Sequence, residues 1–215
     1  MALADIRVID LTDERGIYGT KLLADLGAQV IRPESADGDP LRQRGPFLQS
    51  KTGALSLWHS FFASNRTFVQ VDGADPSATQ TLQRLAEAAD IICRCDQSDS
   101  AALVDIEAAK RANPGLVVVE LSSFGKEGPW SDYLAPDIVA GALGGAAATT
   151  GDASTPPLKN FGDLNFMISG AYAAIAALSA LYHQRNTGQG QSATLSVHES
   201  IASCLEQVFM FYFYQ

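Results

Sequence analysis

At 215 residues, with 47% hydrophobic and 18% charged side chains, the chain has the composition of a globular fold with a sizeable core. Its formal charge of −9, from 24 acidic against 15 basic residues, excludes the basic stripe that a nucleic-acid partner needs, so an anionic ligand requires a local positive pocket. Three cysteines are an odd number, and two of them, Cys93 and Cys95, fall in an apolar strand-like run. That pattern argues against a disulfide framework and fits a reducing, cytoplasmic setting.

From the N-terminus, residues 6–11 (IRVIDL) read as a strand, residues 20–27 (TKLLADLG) as a helix stopped by Gly27, and residues 29–31 as a second strand. Together they have the size of one βαβ unit. The join TDERGIYG lacks the GxGxxG spacing of a dinucleotide fingerprint, so neither a nicotinamide nor a flavin cofactor is expected. No basic region followed by an apolar stretch opens the chain, and its longest uncharged run is punctuated by Gly, Ser and Ala. Neither a signal peptide nor a membrane span is therefore expected.

Residues 35–47 form a polar loop with Arg42 and Arg44 two positions apart, a pair that can hold phosphates bidentately or remain solvated. The aromatic-rich residues 57–63 (LWHSFFA) read as a short helix in which His59 is a packed or surface histidine. Asn65 and Arg66 precede a strand at 67–72. The rhythm repeats with a helix at 76–89 led by Pro76, a strand at 90–95, a helix at 101–112 and a strand at 116–121. Such alternation predicts a parallel sheet with helices on both faces, whose ligands bind outside the carboxyl ends of the strands. Those ends are residues 10–15, 34–44, 95–98 and 122–128, the last carrying Lys126. The Cys93/Cys95 pair has no second Cys or His pair to complete a zinc site, so the two thiols read as buried and no metal is expected.

Residues 144–151 (GGAAATTG) are too small to fill a core by volume and mark either a close packing seam or a place where backbone or ligand comes near. The uncharged residues 167–182 read as a helix covered on most of its surface. His183 and Arg185 suit its negative end and Gly188 suits its stop.

Taken in order, residues 8–42 (VIDLTDERGIYGTKLLADLGAQVIRPESADGDPLR), ASNRTFVQVD, ANPGLVVVELSSFGKEGP, GGAAATTG and HQRNTGQGQSATLSVHES resemble the family III CoA-transferases, the group of formyl-CoA transferase, carnitine CoA-transferase and the acyl-CoA racemases. The resemblance implies an α/β fold with a Rossmann-like large domain over residues 1–190, and residues 191–215 opening the linker towards a small domain. It implies acyl-CoA and a carboxylic acid as substrates, and subunits interlocked as homo- or heterodimers. Family members are about twice as long, so the chain is expected to be a fragment or one half of a split protein, ending inside the apolar VFMFYFYQ.

The chemistry implied is attack of an aspartate carboxylate on the thioester carbonyl, giving a mixed anhydride and then an aspartyl-CoA thioester. Aligned without a gap between the flanking motifs, the nucleophile position falls on Phe166, which cannot do this chemistry. Asp163 lies three residues earlier and is either the substitute nucleophile or a first-turn acid of the long helix. The resemblance places Arg42, Asn65 and Arg66 against CoA and Asp137 near the thioester. Where many members carry Glu-Asn-Phe against CoA, this chain has Arg94, Cys95 and Asp96, and Ser35 replaces an arginine found in some. Pro136 replaces the racemases' histidine, which argues against a racemase. Two readings stay open: a transferase using Asp163, and a catalytically silent half supporting an active partner.

Overall fold

The computed structural model describes every residue except Thr52, Ala153 and Gln215, so the last position of the apolar C-terminal run lies outside the described residues. Strands alternate with helices through residue 122: β1 (Arg7–Leu11), α1 (Ile17–Asp25), β2 (Gln29–Glu34), then the hairpin strands β3 (Phe47–Ser50) and β4 (Gly53–Ser56) and α2 (Leu57–Phe62) before β5 (Arg66–Gln70), α3 (Pro76–Glu87), β6 (Ile91–Cys95), α4 (Ile106–Ala112) and β7 (Val117–Ser122). After them come α5 (Asp137–Leu143), α6 (Leu164–Thr187), β8 (Ser192–Ser196), α7 (Val197–Ser203) and α8 (Glu206–Phe213). The strands β5-β2-β1-β6-β7-β8 form one sheet in that order, and every pairing in it is parallel. Strand order runs outward in opposite directions from β1 and from β6, so the topological switch point lies between these two strands.

Alternation along the strands divides the core into two layers. Val8, Cys93, Cys95, Val117 and Val119 face α1 and α6, whereas Ile9, Leu11, Ile92 and Val118 face α3 and α4. Both thiols therefore share one face, and burial pushes them well above the ordinary thiol range. The parallel α/β fold with both faces covered is the one the sequence pattern predicts.

Element bounds differ where local polar groups intervene. The helix expected at 101–112 is broken, because Asp105 turns its carboxylate onto the Ala108 N–H and starts α4 afresh after a 3-10 turn at Asp99–Leu103. The antiparallel β3–β4 hairpin is additional to the predicted elements. The expected boundary at 190/191 falls inside the sheet, since β8 pairs with β7 from Val118↔Ser192 to Ser122↔Ser196. A period of two in Ser-Ala-Thr-Leu-Ser, too polar to read as buried, hid that strand.

The longest helix, α6, passes the length and hydropathy test for a bilayer span, with half of the relevant window buried. It ends at Gly188 in the left-handed conformation, φ 76°, as the sequence predicts. It crosses α1 at a pair of glycines: a Cβ on Gly19 would sit 2.5 Å from the Gly170 carbonyl oxygen, and one on Gly170 2.8 Å from the Gly19 nitrogen. Residues 144–151 make a similar seam, with a 3-10 turn at Ala147–Thr149 and no room at Gly144, where a Cβ would meet the Ile201 side chain of α7 at 2.8 Å. Gly19→Ala is expected to force the two backbones apart and cost about 1–3 kcal/mol by overpacking, read as a lower urea midpoint with unchanged slope. An unchanged midpoint would show that the crossing has slack.

Candidate active site

The strand ends at the switch point carry charge, and the sequence explains why it meets there. Asp10 lies near the carboxyl end of β1 beside Arg32 of the parallel neighbour β2, and Arg66, the first residue of β5 and in register with Val30, reaches towards them from lower in the sheet. Asp10 is fully buried and its Oδ2 accepts from Arg66 Nη1 at 2.6 Å, Arg32 Nη1 at 3.1 Å and Thr20 Oγ1 at 3.1 Å. Its Oδ1 accepts from the backbone and hydroxyl of Thr12. Arg32 also donates Nε–H to Asp39 at 2.5 Å, and His59 Nε2 stands 3.5 Å from the same carboxylate. His59 is thus a packed residue, buried against Phe68.

A second group sits beyond the end of β1. Arg15, its side chain 6% exposed, bonds Asp13 at 2.5 Å, Asp96 at 2.9 Å and the Ser123 hydroxyl at 3.2 Å. Ser169 on α6 donates to the Arg15 carbonyl, tying this loop to the long helix. Between the two groups opens a cavity of about 310 Å³ at the switch point, whose charged lining comprises Asp13, Glu14, Asp39 and Asp99 with the single cation Arg32.

The N-terminus of α6 forms a third group. Asp137, buried at the start of α5, accepts the Phe166 N–H at 3.1 Å and the Asn165 amide at 2.9 Å, and pairs with Lys159 at 3.1 Å. It satisfies two needs of a helix start at once, an acceptor for an orphan N–H and a negative charge at the positive end of the dipole. Asp163 occupies the N-cap position of α6 but caps nothing with its side chain. Both of its oxygens face Arg44 Nη2, at 3.2 and 3.1 Å, and Oδ2 also takes the Trp58 indole N–H at 2.9 Å. The Arg44 guanidinium lies over the Trp58 ring, 4.4 Å from its centroid.

The positions singled out in the sequence are therefore not one constellation. Asp137, Asp163 and Phe166 converge on the start of α6. Phe166 is 4% exposed and packs with Phe124, Ala135, Ala140, Ala146, Val197 and Ile201. Arg66 has no exposed side-chain surface, and besides Asp10 it bonds the Ile17 and Phe62 carbonyls at 2.8 and 2.9 Å. Asn65, held at φ 59°, donates to Asp25 at 2.7 Å on the outer side of α1. Arg42 pairs with Glu34 at 2.9 Å and stacks on Phe68. Arg15, Trp58, Lys159 and Asn165 escaped sequence reading, and Arg44 was expected only as a loop partner of Arg42, not of Asp163. A charged residue in an apolar strand, as in IRVIDL and QVIRPE, was the available signal for Asp10 and Arg32. Among the described residues no group of three or more His, Cys, Asp or Glu is placed to hold a metal ion.

A doubly wound parallel sheet with a charged cleft at its switch point and a long apolar helix beginning beside it defines a Rossmann-like α/β protein. The model of CoA-transferase family III matches residues 3–215, and the chain belongs to that family. It is 31% identical over 210 residues to the succinyl-CoA:(R)-benzylsuccinate CoA-transferase subunit BbsE of Thauera aromatica, covering 96% of this chain and 51% of that protein. To the succinyl-CoA–D-citramalate CoA-transferase of Chloroflexus aurantiacus it is 29% identical, over 96% of this chain and 52% of that protein. The crystal structure of a CAIB/BAIF family protein from Brucella suis superposes with a TM-score of 0.89 at 25% identity, over 98% of this chain and 57% of the other. The chain thus spans about half the length of the curated relatives it matches.

The buried ion network sets a stability prediction. Asp10→Asn leaves the Arg32 and Arg66 guanidinium groups undercompensated in the interior, so a loss of about 3–5 kcal/mol is expected in chemical denaturation. The acid limb follows from the same carboxylates. Burial pushes Asp10 up, but the Arg66 and Arg32 guanidinium groups and the Thr12 bonds outweigh it and hold the carboxyl below its usual range. Burial likewise pushes Asp39 up, and the nearby His59, the Arg32 guanidinium and the Leu41 N–H outweigh it and hold it well below that range. Both folded values lie under the unfolded one, so their stabilisation is complete above about pH 4 and is lost as pH falls through the depressed folded values. Thermal melts below pH 4 should show this loss, and a smaller acid dependence in Asp10→Asn.

Proposed function

We propose that the chain takes part in moving CoA between carboxylic acids, as the large-domain half of an acyl-CoA:carboxylate CoA-transferase, and that it is the supporting half while a partner half supplies the attacking aspartate. The observation that carries this reading is Phe166. At the position where the resemblance puts the nucleophile stands an aromatic ring, buried in an apolar cluster, with its backbone N–H already given to Asp137. A carboxylate at the helix start is thereby present, but it is Asp137, enclosed and neutralised by Lys159. That the relative from Thauera is itself named as a subunit supports an assembly of unlike halves. Interlocking through apolar surface is supported by α8, where Met210, Phe211, Tyr212 and Phe213 are exposed. An intracellular, cytoplasmic setting follows from this reading and from the free thiols.

A second reading makes Asp163 the nucleophile that forms the aspartyl-CoA thioester, with Arg42, Asn65 and Arg66 holding CoA and Asp137 near the thioester. Its specific support is that Asp163 sits at the start of α6 with its side chain turned off the helix and partly accessible, 18% exposed. Against it stands the environment: Arg44 and Trp58 both draw electron density from the carboxylate that would have to attack.

Turnover by the complete assembly, with hydroxylamine added and modified residues located by mass spectrometry, separates the two. Under the first reading Asp163→Asn keeps activity within about twofold, and the modified aspartate lies on the partner. A loss of a thousandfold or more, about 4 kcal/mol of barrier, with the fold intact and Asp163 as the modified residue, would establish the second.

A further inference from the structure

Resting on the supporting-half reading, we infer that the cleft at the switch point of this chain does not hold the nucleotide end of CoA, and that the assembly carries one CoA for each pair of halves, seated on the partner half. CoA presents a pyrophosphate and a ribose phosphate, and a protein holds such groups with cations or N–H donors that it has not already spent. Around this cleft every guanidinium is already neutralised by a carboxylate. Arg15 is enclosed by Asp13 and Asp96, Arg32 by Asp10 and Asp39, and Arg66 is sealed on Asp10. Outside the cavity lining, Arg42 is paired with Glu34, and Arg44 with Asp163 while its Nη1 keeps no partner among the described residues.

The lining of the cavity also carries the wrong sign. Four carboxylates line it, and its one guanidinium already bonds Asp39 and Asp10. The segment at the end of β6, which the resemblance places against CoA, is likewise committed within the chain: Cys95 is buried, Asp96 faces Arg15, and Arg94 faces Glu120 at 3.7 Å. An anion entering here meets carboxylates first, and freeing an arginine for it means leaving a buried carboxylate unpaired. The cleft retains the shape of a nucleotide site and the opposite electrostatics.

The test is photolabelling of the complete assembly with 8-azido-CoA, whose reactive group reports where the adenine sits, alongside calorimetric titration with CoA. The expected result is one CoA per pair of halves and at least ten times more label on the partner half than on this chain, competed away by unlabelled CoA. Label on residues 12–14 or 97–100 of this chain, or two CoA bound per pair, or CoA bound by an assembly of this chain alone, would overturn the inference. The hydroxylamine experiment is read separately. Label on this chain with no modified Asp163 overturns only the nucleotide placement, whereas a modified Asp163 overturns the supporting-half reading on which it rests.

Discussion

One fully buried carboxylate shared by two arginines is the interaction on which the rest of the structure depends. Asp10 brings together β1, β2 and β5 through Arg32 and Arg66, and Arg66 extends the joint to the start of α1 and the end of α2 through the Ile17 and Phe62 carbonyls. Buried ion pairs contribute little net stability compared with apolar groups of the same volume, because desolvation offsets most of the attraction. Their effect is on geometry. A guanidinium in this interior has one acceptable position, so the strand ends are fixed in register and the loops that leave them emerge at set points around the cleft.

The long helix is fixed by different means. Its approach to α1 rests on the absence of side chains at Gly19 and Gly170, and its first turn rests on a carboxylate borrowed from α5 rather than on its own N-cap residue. Asp163 is thereby released from capping and turned towards Arg44 and Trp58 on the segment around β3, β4 and α2. The start of α6 therefore meets α5 on one side and the Arg44–Trp58 segment on the other, and Phe166 lies in the apolar cluster it shares with α5 and α7.

The fold was legible because its signals are periodic. Apolar strands, Pro76 at a helix start and Gly27 and Gly188 at helix ends are local features that need no knowledge of distant contacts. The hairpin and β8 were not legible for the converse reason: Phe47, Leu48, Ala54 and Leu55 of the hairpin are exposed and mark no buried face, and the period of two in β8 rests on only Ala193 and Leu195 among polar residues. The site was legible only in part. Asp137, Asp163 and Phe166 could be named from motif order, but their relation depends on the 25 residues between Asp137 and Asp163 folding back, and spacing cannot report it. Arg15 reads as an ordinary loop residue. Only the fold reveals that Asp96, 81 positions away, closes over it.

The shared carboxylate also governs the order in which the chain can become native. Arg32 lies 22 positions from Asp10 and Arg66 lies 56. Docking β2 alone on β1 buries a charge cluster that is only half assembled, while waiting for β5 demands closure of a long intervening loop. The three strands are therefore expected to form as a single cooperative unit with a slow, late-committing transition state, and the amides of β1 to share one opening free energy in hydrogen exchange rather than fraying strand by strand.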